Sequence, residues 1–376
     1  MKNVLLLFLF FCVLTINAQS NLRLSDSVRI SLVTGAPSPH NLYSQFGHSA
    51  IRVVDYKQGL DISFNYGTFD FDAPGFYLKF LRGQLNYMLS VSSTAPLARY
   101  YQQEGRSLID QEFLLDKEET KAVADFLVYN YQPENRFYLY DFFYDNCATR
   151  IRDIFEKEVS GFTYEEAAVE TYTFRQMLDL YVGGWTNFGM DLILGYTTDQ
   201  ETNMRAQMFL PDYLMKNLTQ FAKNDGQPLL GAPQLLNNVQ EVAEARKGFL
   251  SPMLVMILLF LVTVAISFFT KEKTKKIFDR IFLTLLGVMG IFMLFMWFGT
   301  DHWTTTKNLN IVWASPFFFL LLFRDWKFIY IIGLVGAIVV LLGWTLLPQQ
   351  FHMAFIPILL AIVLRCLDNL AWIPRK

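Results

Sequence analysis

The chain has 376 residues and a formal net charge of −2, and its sequence pI is near 6.1. A balanced charge of this kind gives no broad basic surface, so we expect no nucleic-acid partner. Hydrophobic residues make up 53% of the chain, and the mean hydropathy is +0.26. These values exclude an ordinary soluble protein. Because the apolar excess is concentrated at the two ends, the sequence predicts a water-soluble middle between membrane-directed segments.

Residues 1–18 have the layout of a secretory signal peptide. Lys2 precedes an apolar core from Val4 to Ile16, and small or polar residues follow it. This core is shorter than the ~20 residues that a membrane-spanning helix needs. We therefore expect export of the chain and cleavage after Ala18.

Residues 20–247 are predicted to form one extracytoplasmic domain of the α+β class. Its first part contains three strand-like stretches, "SVRISLVTG", "HSAIRVVDY" and "LDISFNYGTF", and a hairpin signal joins the last two. After Pro74 the apolar residues recur mainly at helical spacing, as in the stretch 118–129. Pro228, Pro233 and the polar run after them are typical of a connector to the rest of the chain.

Cys147 is the one cysteine of this domain, so it has no disulfide partner within it. Ile151 and Ile154 follow at helical spacing, which places the thiol on the apolar face of a helix. Asp145 or Asn146 can serve as the N-cap, and a helix N-terminus stabilises a thiolate through its dipole and its free N–H groups. The competing interpretation is a small buried hydrophobic residue, which is the commonest fate of a lone cysteine.

A nucleophilic thiol needs a base, and this domain offers two histidines. His40 lies in the loop-like stretch "GAPSPHNLY". His48 opens a strand, where an imidazole can be held rigidly against a helix N-terminus. A lone strand histidine is more often structural, but the pairing with the domain's one cysteine makes His48 the predicted base of a Cys147 nucleophile.

Residues 249–376 are predicted to form an all-α transmembrane domain of about five helices. Five apolar segments carry this prediction: 251–270, 277–298, 309–323, 328–347 and 351–364. The third and the fifth are short for a membrane span, so four or three spans are the alternatives.

Positive charges lie at alternate ends of these segments. They cluster from Lys271 to Arg280 after the first segment, and they recur after the third and, with Arg365, after the fifth. The positive-inside rule places these ends in the cytoplasm, and it places the N-terminal domain in the periplasm of a multi-pass inner-membrane protein. Asp301 and His302 fall in an outward-facing loop, where two roles are open: contact with substrate and anchoring at the interface.

Several stretches, taken in order, resemble a known family. "FGHSAIRV", "NYGTFDFDAP", "FLRGQLNYML", "YDNCATRIRD" and "MFLP" are similar to the extracytoplasmic domain of the Lnb-type lipoprotein N-acyltransferases, and "TDHWTTTKNLNIVWASP" is similar to part of that family's membrane domain. A histidine strand that precedes a cysteine helix also resembles the circularly permuted papain-like fold of the NlpC/P60-related group. The resemblance implies this fold for the soluble domain.

The resemblance also implies a reaction, in which an acyl chain moves from a membrane phospholipid to the α-amino group of a diacylglyceryl lipoprotein. It implies Cys147 as the nucleophile that carries the acyl chain as a thioester and His48 as the base. We expect no cofactor and no metal. Asn146, Asp301 and His302 are the candidates for residues next to the substrate.

The orienting residue of the expected site is less directly indicated. In permuted relatives this residue sits on the strand beside the histidine strand, and here Asp61, Ser63 and Asn65 share one face of that strand. We favour Asn65, because an amide oxygen can accept a hydrogen bond from an imidazole N–H and so fix its tautomer.

Three alternatives use the same residues differently. A peptidoglycan amidase of the NlpC/P60 kind or a membrane-anchored thiol protease would use the Cys147–His48 pair on a peptide. A non-catalytic membrane scaffold would use Cys147 for packing alone. Several membrane helices favour an acyltransferase, because both of its substrates are anchored in the bilayer.

Overall fold

The computed structural model describes residues 22–38, 44–161, 170–223, 226–239 and 250–371. The predicted signal peptide 1–18, its cleavage site and His40 lie outside the described residues. The N-terminal part is an α+β domain built on an antiparallel sheet, and the C-terminal part is helical. The α+β prediction is therefore confirmed.

The sheet has seven strands in the order β6-β4-β3-β2-β1-β5-β7, and every neighbouring pair is antiparallel. Its strands are β1 (Val28–Gly35), β2 (His48–Asp55), β3 (Leu60–Thr68), β4 (Asn86–Ser93), β5 (Leu108–Glu112), β6 (Phe137–Leu139) and β7 (Gln234–Leu235). The first three coincide with the three predicted strand-like stretches.

Thirteen α-helices lie in the described part of the chain. Those of the N-terminal part are α1 (Phe76–Arg82), α2 (Thr94–Gln103), α3 (Lys117–Asn130), α4 (Cys147–Glu158), α5 (Phe174–Asp179), α6 (Gly184–Ile193), α7 (Met204–Gln207) and α8 (Pro211–Thr219). Those of the C-terminal part are α9 (Pro252–Phe269), α10 (Glu272–Phe298), α11 (Asn310–Trp313), α12 (Lys327–Leu342) and α13 (Phe355–Asn369).

Both faces of the sheet are covered, and the larger core lies between one face and helices α3, α4 and α8. Ile51 and Phe64 from β2 and β3 meet Ile151 and Phe155 from α4 in this core, and all four are fully buried. Their alternation along the strands and their helical spacing in α4 bring both apolar faces together. Helix α4 is thereby fixed across β2 and β3. Its first residue, Cys147, therefore lies near the first residue of β2, His48.

The predicted connector begins later than the prolines suggest. Leu229 and Leu230 are buried in the main core, and β7 pairs with β5. The side chain of Asn237 accepts from the Leu108 N–H at 2.9 Å and donates to the Arg106 carbonyl at 2.8 Å. Residues 229–237 are therefore part of the domain, because an edge strand and a buried amide hold them against the sheet.

Within residues 250–371, two helices are long and apolar enough to cross a membrane, α9 with 18 residues and α10 with 27. The apolar segment 310–322 is interrupted near Pro316, where α11 gives way to a 3₁₀ helix. Helix α12 has 16 residues and α13 has 15. These lengths fall short of a full span, so the number of crossings stays a prediction.

The positive-inside argument treated Arg365 as a loop residue that follows the fifth segment. The structure shows that it does not lie in a loop. It belongs to α13, is 1% exposed, and forms a two-pronged ion pair with Asp279 of α10 at 2.5 and 2.8 Å. Its third nitrogen donates to Ser267 of α9 at 2.7 Å. A guanidinium buried among apolar helices needs such partners, and here they tie three helices together.

The two parts of the chain meet at the loop between α10 and α11. Asn308 donates to the carbonyls of Leu192 and Ile193 at 2.8 and 2.9 Å, and Asn310 donates to the carbonyl of Asp191 at 2.8 Å. Both asparagines are almost fully buried. The end of α6 therefore rests directly on the helical part, joined to it by side-chain amides rather than by apolar contact alone.

Candidate active site

The N-terminus of α4 is fixed by Asn146, which is its N-cap. The amide oxygen of Asn146 accepts from the N–H groups of Ala148 and Thr149, and the Thr149 hydroxyl accepts from the Asn146 N–H in return. The amide nitrogen donates to the carbonyls of Phe142 and Phe209 at 2.6 and 2.8 Å. Each polar atom of this predicted substrate-adjacent side chain is thus engaged within the protein, and Asn146 positions the residue that follows it.

Cys147 is the first residue of α4 and is 8% exposed at the edge of the main core. The cap engages the N–H groups of the next two residues and does not use the N–H of Cys147. A thiol in the first helical turn, beside uncapped N–H, lies where an anion is stabilised.

His48 begins β2, and Gly47 before it makes that start possible. Gly47 has a φ of +78°, and a Cβ there would lie 2.8 Å from the carbonyl oxygen of Gly35. Both facts require glycine, since other residues avoid this backbone region and the neighbouring backbone cannot move aside. The tight entry directs the His48 side chain toward the start of α4.

Cys147, His48 and Asn65 come together at this point. The side chains of Cys147 and Asn65 both lie close enough to the His48 ring to shift its pKa. Asn65 uses its amide nitrogen on the Ser63 carbonyl at 3.1 Å and on the Ser92 hydroxyl at 3.4 Å. Its amide oxygen can therefore accept from the ring N–H of His48, in keeping with the upward effect of Asn65 on the His48 pKa.

The other two residues considered for the orienting position have different partners. Asp61 forms an ion pair with Arg52 at 2.6 Å. The Ser63 hydroxyl shares a hydrogen bond of 2.9 Å with Thr94. The geometry thus places Asn65, rather than Asp61 or Ser63, next to the imidazole.

The thiol and the imidazole shift each other's pKa. Burial alone would raise the pKa of Cys147. The charge and side chain of His48 outweigh burial, helped by the backbone N–H groups of Ser49 and Ala148, and hold this pKa below its ordinary value. Burial alone would lower the pKa of His48, but the thiolate and Asn65 raise it above its ordinary value. Both directions favour a thiolate–imidazolium pair.

Aromatic rings line one side of the thiol. A Cβ on Gly67 would lie 3.5 Å from the Tyr140 ring and 4.0 Å from the Cys147 Cβ, so the backbone of β3 lies against both side chains. Tyr140 stacks on Tyr87 with ring centroids 4.5 Å apart. Burial, together with the nearby Cys147, raises the pKa of Tyr140 well above its ordinary value, which keeps its phenol protonated at neutral pH.

Asp301 and His302 lie against α1 and the residues after it. The Asp301 N–H donates to the Arg82 carbonyl at 2.8 Å, and its carboxylate accepts from Gln84 at 2.8 Å. The His302 Nε2 atom donates to the Phe80 carbonyl at 3.1 Å. Their polar atoms therefore attach α1 to the outer end of α10, and no hydrogen bond in the described part of the chain joins them to Cys147 or His48.

The next residue of this loop reaches the cysteine turn itself. Trp303 packs edge-on against Tyr144, with ring centroids 5.1 Å apart. Tyr144 belongs to the tight turn that immediately precedes α4, closed by mutual backbone hydrogen bonds between Asp141 and Asp145. The helical part of the chain therefore contacts the turn that presents Cys147.

Three residues of this site were not identified from the sequence: Gly47, Ser92 and Tyr140. A glycine directly before a strand histidine is a turn signal that could have indicated Gly47. Ser92 and Tyr140 carry no comparable local signal, because the pairing of β4 with β3 and the course of the chain before α4 bring them here.

Two family models match the chain. The Lnb N-terminal periplasmic domain matches residues 18–179, which include His48, Asn65 and Cys147, and the Lnb transmembrane domain matches residues 244–376. No curated protein and no solved structure matches it. Together the two models account for most of the sequence. The chain belongs to the Lnb family and consists of a periplasmic N-terminal domain followed by a transmembrane domain.

Proposed function

We propose that this chain is a lipoprotein N-acyltransferase of the inner membrane. It moves an acyl chain from a membrane phospholipid, through a thioester on Cys147, to the α-amino group of the lipidated N-terminal cysteine of a lipoprotein. The observation that carries the proposal is the group of Cys147, His48 and Asn65, whose side chains act on one another at a helix N-terminus, in a periplasmic domain that rests on a transmembrane domain.

The proposal extends to the organisation of the chain. Residues 1–18 are the signal peptide, 20–247 the catalytic domain and 249–376 a multi-pass transmembrane domain of about five helices. The catalytic domain is a circularly permuted papain-like unit. The order of its parts supports this, because the histidine strand β2 precedes the cysteine helix α4 and Asn65 follows on the strand beside β2.

In the first step the Cys147 thiolate attacks an ester carbonyl carbon of the phospholipid. The C–S bond forms, and the carbonyl oxygen takes the negative charge of a tetrahedral intermediate. The uncapped N–H of Cys147 is the natural donor to this oxygen. The intermediate collapses by breaking the C–O bond, and the His48 imidazolium gives its proton to the departing lysophospholipid oxygen.

In the second step the α-amine of the lipoprotein attacks the thioester. Its pKa of ~7.7–8.0 leaves part of it neutral near pH 7. His48, now neutral, takes the proton that the amine loses as the C–N bond forms, and the C–S bond breaks to restore the Cys147 thiolate. Asn65 holds the ring of His48 in one orientation through both steps. The product amide is far less reactive than the thioester, which drives the sequence forward.

The direct test is mass spectrometry of the full-length protein after incubation with phospholipid vesicles. We expect an acyl adduct on the Cys147 peptide that hydroxylamine removes, and its transfer to a diacylglyceryl lipopeptide. Cys147→Ala abolishes both, and His48→Ala slows transfer by about 100-fold or more.

Cys366→Ala is the matched control, because this second thiol is fully buried in the transmembrane domain and the variant should keep the adduct. Cleavage of peptidoglycan stem peptides without any acyl adduct would overturn the proposal in favour of an amidase. N-acylation that persists in a Cys147→Ala, His48→Ala double variant would overturn it in favour of a scaffold.

A further inference from the structure

Helix α1 and the turn before it leave large apolar side chains exposed. Phe71 is 68% exposed, Tyr77 83%, Leu78 61% and Phe80 53%. Single exposed apolar residues are normal on protein surfaces, but four within ten residues form a contiguous patch of the kind that marks an interaction surface. We call these four residues the apolar patch.

The apolar patch is held at the outer end of the membrane-spanning helix α10. That helix ends at Phe298, which is 75% exposed. Three residues later Asp301 and His302 form the hydrogen bonds to the backbone of Arg82 and Phe80. The patch is therefore attached by hydrogen bonds to the short loop that follows α10.

A row of aromatic contacts leads from the apolar patch to the nucleophile. The ring centroids of Phe80 and Phe76 are 6.2 Å apart, those of Phe76 and Phe69 5.8 Å, and those of Phe69 and Tyr87 5.2 Å. The last step is the stack of Tyr87 on Tyr140 at 4.5 Å, and Tyr140 lies beside Cys147. We call Phe80, Phe76, Phe69, Tyr87 and Tyr140 the aromatic row.

We propose that the apolar patch is embedded in the outer leaflet of the membrane and that the aromatic row guides one acyl chain of a phospholipid from the leaflet to Cys147. The second half of this statement rests on the proposed acyltransferase function, whereas the first half does not.

The chemistry of the helix fits a lipid surface rather than a protein partner. Aromatic residues favour the interface between headgroups and hydrocarbon, and a short helix can lie in that plane with apolar residues toward the chains. Lys79 and Arg82 lie on the same helix and are exposed, and cations there suit the phosphate groups of phospholipids. The leaflet is also the surface that α10 already enters.

The embedded patch is tested on full-length protein in phosphatidylcholine–phosphatidylglycerol vesicles. A Cys12→Ala, Cys147→Ala, Cys366→Ala chain carries one new cysteine, Leu78→Cys, labelled with an environment-sensitive NBD fluorophore. We expect blue-shifted emission, strong quenching by lipids with doxyl groups on their acyl chains, and loss of most quenching by aqueous iodide.

The matched control is Tyr56→Cys in the same chain. Tyr56 is 65% exposed and follows β2 at the end opposite His48, so its label should stay accessible to iodide. If Leu78→Cys fails to fold, the measurement is repeated with Tyr77→Cys. A label at either position that iodide quenches as strongly as the control would overturn the embedded patch, and self-association of the protein through this face would do so as well.

The acyl path is tested with Phe69→Ala, at the middle of the aromatic row. We measure acylation of Cys147 by a long-chain phospholipid and by a soluble acetyl ester, and we expect the ratio of the two rates to fall about tenfold, because the lost ring contacts act on the long chain. Phe137→Ala is the matched control, since Phe137 is a half-exposed ring outside the row.

An equal loss of rate with both esters would overturn the path.

The two proposals fail in distinguishable ways. If the unaltered protein forms no thioester with phospholipid, the acyltransferase function and the path fall together, but the fluorescence measurement uses a chain without the nucleophile and still decides whether the patch is embedded.

Discussion

At the scale of single residues, the site is governed by a pair of opposite charges held together in a mostly buried position. The pKa of Cys147 is lowered and that of His48 is raised, so the thiolate persists below the ordinary thiol pKa and the imidazolium persists above the ordinary imidazole pKa. Both shifts extend the pH range in which the thiolate and the imidazolium coexist. Arg106 acts in the opposite sense on His48, but it is the weakest of the contributions.

The charged pair predicts how the thiol responds to pH. Alkylation of Cys147 by iodoacetamide should stay fast below pH ~8.5, where free cysteine becomes unreactive. In His48→Ala the pKa of Cys147 loses its largest lowering contribution, so the curve should move to higher pH and the rate at pH 7 should fall by about tenfold or more. Peptide mass mapping separates Cys147 from Cys366. An unchanged curve in the variant would show that His48 does not control the thiol.

At the scale of elements, the decisive feature is the cap of α4. Asn146 closes the helix and also holds the chain on both sides of it, through the carbonyls of Phe142 and Phe209. The strand β2 has a comparable device in Gly47. These two ends face each other, so the accuracy of the site depends on where one strand starts and where one helix starts.

The cap gives a prediction with a structural control. Asn146→Ala should lower the free energy of unfolding by about 1–2 kcal/mol and should also slow alkylation of Cys147 by iodoacetamide, because the first turn of α4 loses its anchor. The matched control is Asp116, the N-cap of α3, whose side chain accepts from the Glu119 N–H. Asp116→Ala removes the capping box of that helix. It should cost similar stability and leave Cys147 alkylation unchanged. Chemical denaturation and the alkylation rate of Cys147 are measured on both variants. An equal fall of the alkylation rate in the two variants would contradict the prediction.

Local patterns were sufficient to predict these elements but not their surroundings. The alternation in "SVRISLVTG" and the capping signal before Cys147 are written in neighbouring residues, so the strands and the start of α4 could be predicted. The contact of His302 with Phe80 joins residues 222 positions apart, and nothing near either residue indicates the other. The aromatic row was missed for the same reason, since it depends on how β3, α1 and β4 pack.

At the scale of the whole molecule, the transmembrane domain is organised around a buried ion pair. Sequence patterns correctly indicated a helical C-terminal part but treated Arg365 as a loop charge, because a periodic apolar stretch does not reveal that a carboxylate on another helix faces its arginine. Asp279 on α10 supplies that carboxylate, and Ser267 on α9 supplies a further acceptor. One residue thus joins three helices.

The ion pair predicts an asymmetry between single and double variants. Asp279→Ala removes the two-pronged partner of a buried guanidinium and leaves it Asp368 of its own helix at 2.8 Å, so it should lower stability by about 3 kcal/mol. Asp279→Leu combined with Arg365→Met removes the pair and leaves Asp368 with Lys275 at 3.9 Å, so it should be much less damaging. Thermal unfolding in nanodiscs measures the difference. A double variant as unstable as the single one would mean that the pair itself, rather than the isolated charge, sets the stability.

The attachment of α1 to the loop that carries Asp301 and His302 has a consequence for substrate choice. Hydrogen bonds and the buried amides of Asn308 and Asn310 attach the N-terminal domain directly to the helical part. In the proposed enzyme this attachment would hold the thiol at one distance from the bilayer. The layer that contains the phospholipid esters is only about 5–8 Å thick on each side. For the proposed acyltransferase, a nucleophile at constant height would select an ester by the distance of its bond from the bilayer midplane, before any headgroup is recognised.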